Sequence, residues 1–256
     1  MKRIFTLFLL IFKGLSLICQ PANDDCSGIV HLGTAPICPV PDTFNNVGAT
    51  TSLVFSNASM NIPACFTGGV VNRDVWFSFD VPASGDLVDF TLKITGINGQ
   101  NSSLKQPQVA VYRGDCELDG LEILTCATSG LGSSQLDLDL LGLTPGLTYF
   151  LRISDWSASA SPNSGDFVLC LKEYDPVFNM GEAPSASACA GTLFDSGGPS
   201  GSYSNSQNQT FTICPSEFHQ CIFVNVVILQ TEQSSDYLRF FAGTNTSAPS
   251  LGSLDG

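Results

Sequence analysis

The sequence predicts an all-β fold, two β-sandwich modules in tandem with the second incomplete. Three observations predict it: apolar and polar residues alternate along several short segments, turn-forming clusters separate those segments, and helical periodicity is nearly absent. Val75, Phe77 and Phe79 alternate with Trp76 and Ser78, and Phe90, Leu92 and Ile94 with Thr91 and Lys93. Leu136, Leu138 and Leu140 alternate with Asp137 and Asp139. Tyr149, Leu151 and Ile153 alternate with Phe150 and Arg152, and Phe167, Leu169 and Leu171 complete the set. Each run has one face for a core and one that is mostly polar, as in antiparallel sheets. Gly, Pro, Ser and Asn at 82–85, 144–146 and 162–165 supply the turns.

The chain opens on Met1-Lys2-Arg3, a basic start, followed by an apolar run over 4–12 and Lys13. A spanning helix needs about 20 apolar residues, so this run suits a cleaved signal peptide over 1–19. Cleavage is expected between Cys19 and Gln20. A lipid anchor on Cys19 is the alternative, and the bulky Ile18 before it argues against one. No other run is long enough for a transmembrane span.

The chain carries 10 Lys and Arg against 23 Asp and Glu. Without Lys2, Arg3 and Lys13 the balance is 7 against 23, a net charge of −16. Such a surface repels phosphate backbones, so nucleic acid is excluded as a partner. It suits solubility, and it also suits calcium, which takes carboxylate oxygens. Ten cysteines in an exported chain point to disulfides. There is no CxxC pair and there are two histidines, so zinc is not indicated. After cleavage nine cysteines remain, which leaves one free or bonded outside this sequence.

The first module is expected over 20–175, long enough for a full core. Residues 179–188 are mostly small and polar, and a linker is expected over 176–188. From Cys189 the alternation resumes, over 211–213, 222–229 and 237–241, and the second module ends at Gly256. Stopped there, a sandwich would leave an open edge and a bare apolar face, so a longer protein is expected.

The segment from Cys189 through Asp195-Ser196-Gly197-Gly198 to Asn208, then Thr210 to Cys214, resembles the start of a CUB domain. Phe223, Val226, Ile228, Glu232, Asp236 to Gly243, and Asn245 to Gly252 resemble that family's middle and the following loop. The resemblance covers 189–256 and implies an extracellular binding sandwich. Asp255 stands where many members carry a cysteine, and the family's closing strands are absent. The first module is similar to a jelly-roll module of large secreted bacterial proteins, related to pre-peptidase carboxy-terminal domains. The residues that carry this are Asn23 to Cys26, Asp74 to Phe79, Val111 to Cys116, Leu143 to Gly146 and Gly165 to Phe167. That resemblance implies a non-catalytic companion of enzymes or adhesins.

The CUB resemblance implies calcium at Glu232 and Asp236, with a third acid past Gly256. Calcium needs six to eight oxygens, so this pair alone is incomplete. It also implies a Cys189–Cys214 bridge. Local spacing suggests Cys116–Cys126 and Cys26–Cys38; Cys65, Cys170 and Cys221 remain, with Cys65–Cys170 open and Cys221 the odd one. The run Asp195 to Pro199 copies the surroundings of a trypsin-like serine nucleophile. The triad chemistry needs a placed histidine, and neither His31 nor His219 stands in that family's histidine motif. A Gly-rich turn explains the same residues. Trp76 and Tyr112 are expected to face away from the core and Trp156 to stand in a loop, which makes all three candidate ligand aromatics. Packing under a neighbouring loop is the competing role for Trp76. Asn57, Asn101, Asn208 and Asn245 head glycosylation sequons.

The expected function is therefore a non-catalytic extracellular binding or adhesion segment, secreted or at the cell surface, with protein or glycan ligands. An accessory region of a secreted hydrolase with its catalytic domain beyond Gly256 is the alternative, and a structural spacer is the third.

Overall fold

The computed structural model describes residues 20–38, 42–66, 71, 73–83, 88–156, 164–187, 190–215 and 222–256. The expected leader over 1–19 lies outside the described residues. The chain divides into two compact units, 1–174 and 175–256.

The first unit is a double-layered β-sandwich. Its strands are β1 Val30–Thr34, β2 Phe44–Asn45, β3 Val75–Asp80, β4 Val88–Ile97, β5 Pro107–Gly114, β6 Leu121–Thr128, β7 Gln135–Leu143, β8 Thr148–Asp155 and β9 Asp166–Glu173. One sheet has the order β1-β3-β8-β5-β6 and the other β2-β9-β4-β7. Strands β2 to β9 thus form the two four-stranded sheets of a jelly roll. β1 extends the first sheet by pairing parallel to β3.

The alternating side chains meet between the layers. Val75, Phe77, Phe79, Val109, Val111, Leu151 and Ile153 come from the first sheet. Phe90, Leu92, Ile94, Leu136, Leu140, Phe167, Leu169 and Leu171 come from the second, and all fifteen are buried. Full burial of one such side chain is worth about 1.5–3 kcal/mol, so the period-two pattern is itself the driving force for closure. Phe77 locks the layers: its ring centroid lies 4.7 Å from Phe44 and 6.0 Å from Phe167, both edge-on and both on the opposite sheet.

Three disulfides fasten this unit: Cys26–Cys116, Cys38–Cys170 and Cys65–Cys126. The six cysteines are the expected ones, but the local pairings Cys26–Cys38 and Cys116–Cys126 and the Cys65–Cys170 pairing are all wrong. Neighbours in sequence belong to different elements, and the jelly roll brings partners together from 61 to 132 residues apart. In the chain-entropy view, bridges over such distances stabilise by about 4–5 kcal/mol each.

The second unit holds three strand pairs. β10 Val177–Asn179 runs parallel to β12 Thr192–Phe194, and β11 Ser185–Ser187 runs parallel to β13 Thr212–Cys214. β14 Leu238–Phe241 pairs antiparallel with β15 Ser250–Leu254. The stretch expected as a linker over 176–188 contributes β10 and β11, because strand pairing uses backbone groups and does not require large side chains. The expected strand over 222–229 has no sheet partner among the described residues, and Phe223 and Val227 are 96% and 82% exposed. No described residue of this unit is buried.

Candidate functional site

Described residues of the 46–74 connection between β2 and β3 pack on the outer face of the first sheet and cover a second, smaller core. Val54, Phe55, Phe66 and Val71 from the connection pack with Trp76, Ala110, Tyr112 and Leu121 from the sheet. Trp76 and Tyr112 do face away from the inter-sheet core, as expected. Both are nonetheless fully buried, so as candidate ligand aromatics they are corrected to packing groups. Their rings lie 5.6 Å apart.

A buried ion pair sits in this second core. Arg152 and Asp74 are both 0% exposed, and Arg152 Nε donates to Asp74 Oδ2 at 2.8 Å. The remaining guanidinium nitrogens donate to the Asn61 and Ser52 carbonyls at 2.8 and 2.9 Å. Asp74 Oδ1 accepts from Ser52 N at 3.0 Å, and Trp76 Nε1 donates to Ser52 Oγ at 2.9 Å. The guanidinium also lies 5.4 Å from the centre of the Trp76 ring. A buried charge is tolerated only with such full pairing, so one arginine fixes three points of the connection to the sheet.

Burial raises the Tyr112 phenol above the ordinary tyrosine value, partly offset by the adjacent Arg152 guanidinium. The folded state therefore holds this proton more tightly than the unfolded chain does. The associated stability is intact below the unfolded value near 10 and is lost as pH rises through the higher folded value. Urea midpoints read by tryptophan fluorescence should fall between pH 9 and about 11, and fall less in Tyr112→Phe. An equal fall in both proteins would contradict this.

By the strand order, the β2–β3, β4–β5, β6–β7 and β8–β9 links leave from one end of the jelly roll, where 98–106 and 129–134 are described throughout. The 98–106 connection is held by two buried carboxylates. Asp166, 2% exposed, accepts from Asn101 N and Asn101 Nδ2 at 2.8 and 2.7 Å. Asp155, also 2% exposed, accepts from Lys105 N and Gln106 N at 2.6 and 3.2 Å. The two acids come from different sheets, so the loop is clamped to both layers. Trp156 stands in this region, with its backbone N–H donating to Gln106 O at 2.8 Å, and it is half-buried. Its expected loop position agrees with the structure.

In the second unit, Glu232 and Asp236 stand on one turn, closed by Ser235 N and Asp236 N donating to Glu232 O. Tyr203 OH donates to Asp236 Oδ2 at 2.8 Å, which raises its pKa. Asp255 Oδ2 accepts from Ser234 N at 3.0 Å on the same turn. Among the described residues, no group of three or more His, Cys, Asp or Glu converges to hold a metal ion. Two carboxylates alone fall short of the six to eight oxygens that calcium takes. Ser196 Oγ contacts Gln207 Oε1, not a histidine. Cys189, Cys221 and His219 lie outside the described residues, so the Cys189–Cys214 bridge does too; among the described residues Cys214 has no disulfide partner.

Sequence reasoning missed the Asp74–Arg152 pair and the two loop-holding acids. The available signals were an arginine inside the apolar strand 149–153 and aspartates at the ends of two strands. A scan against protein-family models and a search of curated proteins find no match to this chain.

Proposed function

We propose that this chain is a non-catalytic binding segment of an exported protein, with an extracellular protein or glycan as its ligand. The observation that carries the reading is the loop end of the jelly roll, where two buried acids hold one connection rigid on a triply bridged scaffold. Binding residues are commonly borne on loops that a rigid framework positions. Three disulfides fit an extracellular setting, and among the described residues no helix is long and apolar enough to cross a membrane. The jelly-roll order fits the resemblance to modules that accompany secreted enzymes and adhesins.

The test is retention of the oxidised full chain on immobilised glycans and extracellular proteins. Saturable binding that disappears on disulfide reduction is expected. Absence of saturable binding on every surface, or turnover of an ester or peptide substrate by the chain itself, would overturn the reading.

A further inference from the structure

We infer that the hollow beside the clamped 98–106 connection is a binding cleft for a neutral saccharide; this rests on the binding-segment reading and names its ligand class. The hollow is about 350 Å³ and is lined by Thr43, Asn45, Gly99, Gln100, Asn101 and Asp166. That volume falls in the range of about 300–1,000 Å³ typical of small-molecule sites.

The lining chemistry selects the ligand. Thr43 and Gln100 offer a hydroxyl and an amide that both donate and accept, as sugar hydroxyls do; Asn101 Nδ2 is already given to Asp166 and Asn45 Oδ1 already accepts from Val47 N, which leaves these two amides the Asn101 carbonyl oxygen and the Asn45 NH2. Among the described residues no lysine, arginine or histidine lines the hollow, and Asp166 repels anions, so phosphate and sulfate ligands are disfavoured. Among the described residues no apolar side chain lines it, which disfavours lipids and apolar peptides. One carboxylate is too few for calcium, which takes six to eight oxygens and several charged ligands. A neutral, hydroxyl-rich molecule is what remains.

The cleft is also built in advance. Asp166 has both oxygens committed to Asn101, so the floor and the loop form one piece. A Cβ on Gly99 would come within 2.4 Å of Asp166 Oδ2, and one on Gly165 within 1.9 Å of Ser102 O. Glycine at both positions lets the loop close on β9. Fixing a loop before the ligand arrives removes an ordering cost from binding. β2, which carries Asn45, is an edge strand, so the hollow is open to solvent on that side.

The experiment uses the oxidised full chain on an array of neutral and anionic glycans, with the strongest neutral hit then measured by calorimetry. Thr43 and Gln100 are exposed, so Thr43→Val and Gln100→Ala spare the core; unchanged melting temperatures check this. Each should weaken binding roughly tenfold, the loss expected for one or two hydrogen bonds. Lys93→Ala, on β4 of the same sheet but outside the lining of the hollow, should leave binding unchanged. Saccharide binding that survives both cleft variants would overturn the cleft while the binding-segment reading stands. No neutral glycan bound, with retention on a protein surface, would do the same. Silence on glycans and proteins alike would end both.

Discussion

Arg152→Ala should destabilise the first unit by about 3–5 kcal/mol, the usual loss when one partner of a buried ion pair is removed. The substitution leaves Asp74 charged and sealed at 0% exposure, and it frees the Asn61 and Ser52 carbonyls that the guanidinium had satisfied. Domain stability is commonly about 5–15 kcal/mol, so a large part of it is at stake. Both tryptophans, Trp76 and Trp156, lie in the first unit, so indole fluorescence follows that unit alone. A urea midpoint lowered in proportion, with an unchanged slope, is the expected result. A second variant separates charge from volume: Asp74→Asn with Arg152→Met should lose less than the two single losses combined, because neither charge is then left unpaired. Strict additivity would show that the two side chains act independently.

Phe77→Ala should cost about 3–5 kcal/mol by a different route, the cavity left between the sheets. The ring is fully buried and meets Phe44 and Phe167 of the opposite layer edge-on. Those aromatics belong to different strands, so the gap cannot close by a single rotamer change. Phe77→Leu should recover most of the loss, since it restores apolar volume. If Phe77→Ala shifted the urea midpoint no more than a surface change such as Lys93→Ala, the ring would not be joining the layers.

The sandwich was legible because alternation has a direct physical cause. Val75, Phe77 and Phe79 could pack on one face only, and the structure places them between the sheets. The outward direction of Trp76 and Tyr112 followed from the same alternation. Packing of Trp76 under a neighbouring loop was one of the two roles open to it; that the cover comes from 46–74 and also buries Tyr112 was not legible, because that stretch has no strand periodicity and its position depends on the whole fold. Disulfide partners were illegible for a related reason. Spacing in sequence favours near neighbours, whereas Cys38 and Cys170 meet only after β9 has paired beside β2 and β4. The clamp on 98–106 was hidden as well: Asp155 and Asp166 look like ordinary acids at strand ends until the sheets bring both under one loop. In the second unit, 222–229 has the apolar content of a buried strand, yet sheet pairing is a property of neighbours and not of composition.

The first unit stands on a double layer tied by oxidised bridges between segments remote in sequence. Peptide mapping of exported, unreduced protein measures this directly. The expected fragments join Cys26 to Cys116, Cys38 to Cys170 and Cys65 to Cys126. Fragments joining Cys26 to Cys38 or Cys116 to Cys126, or free thiol at these six positions, would contradict it.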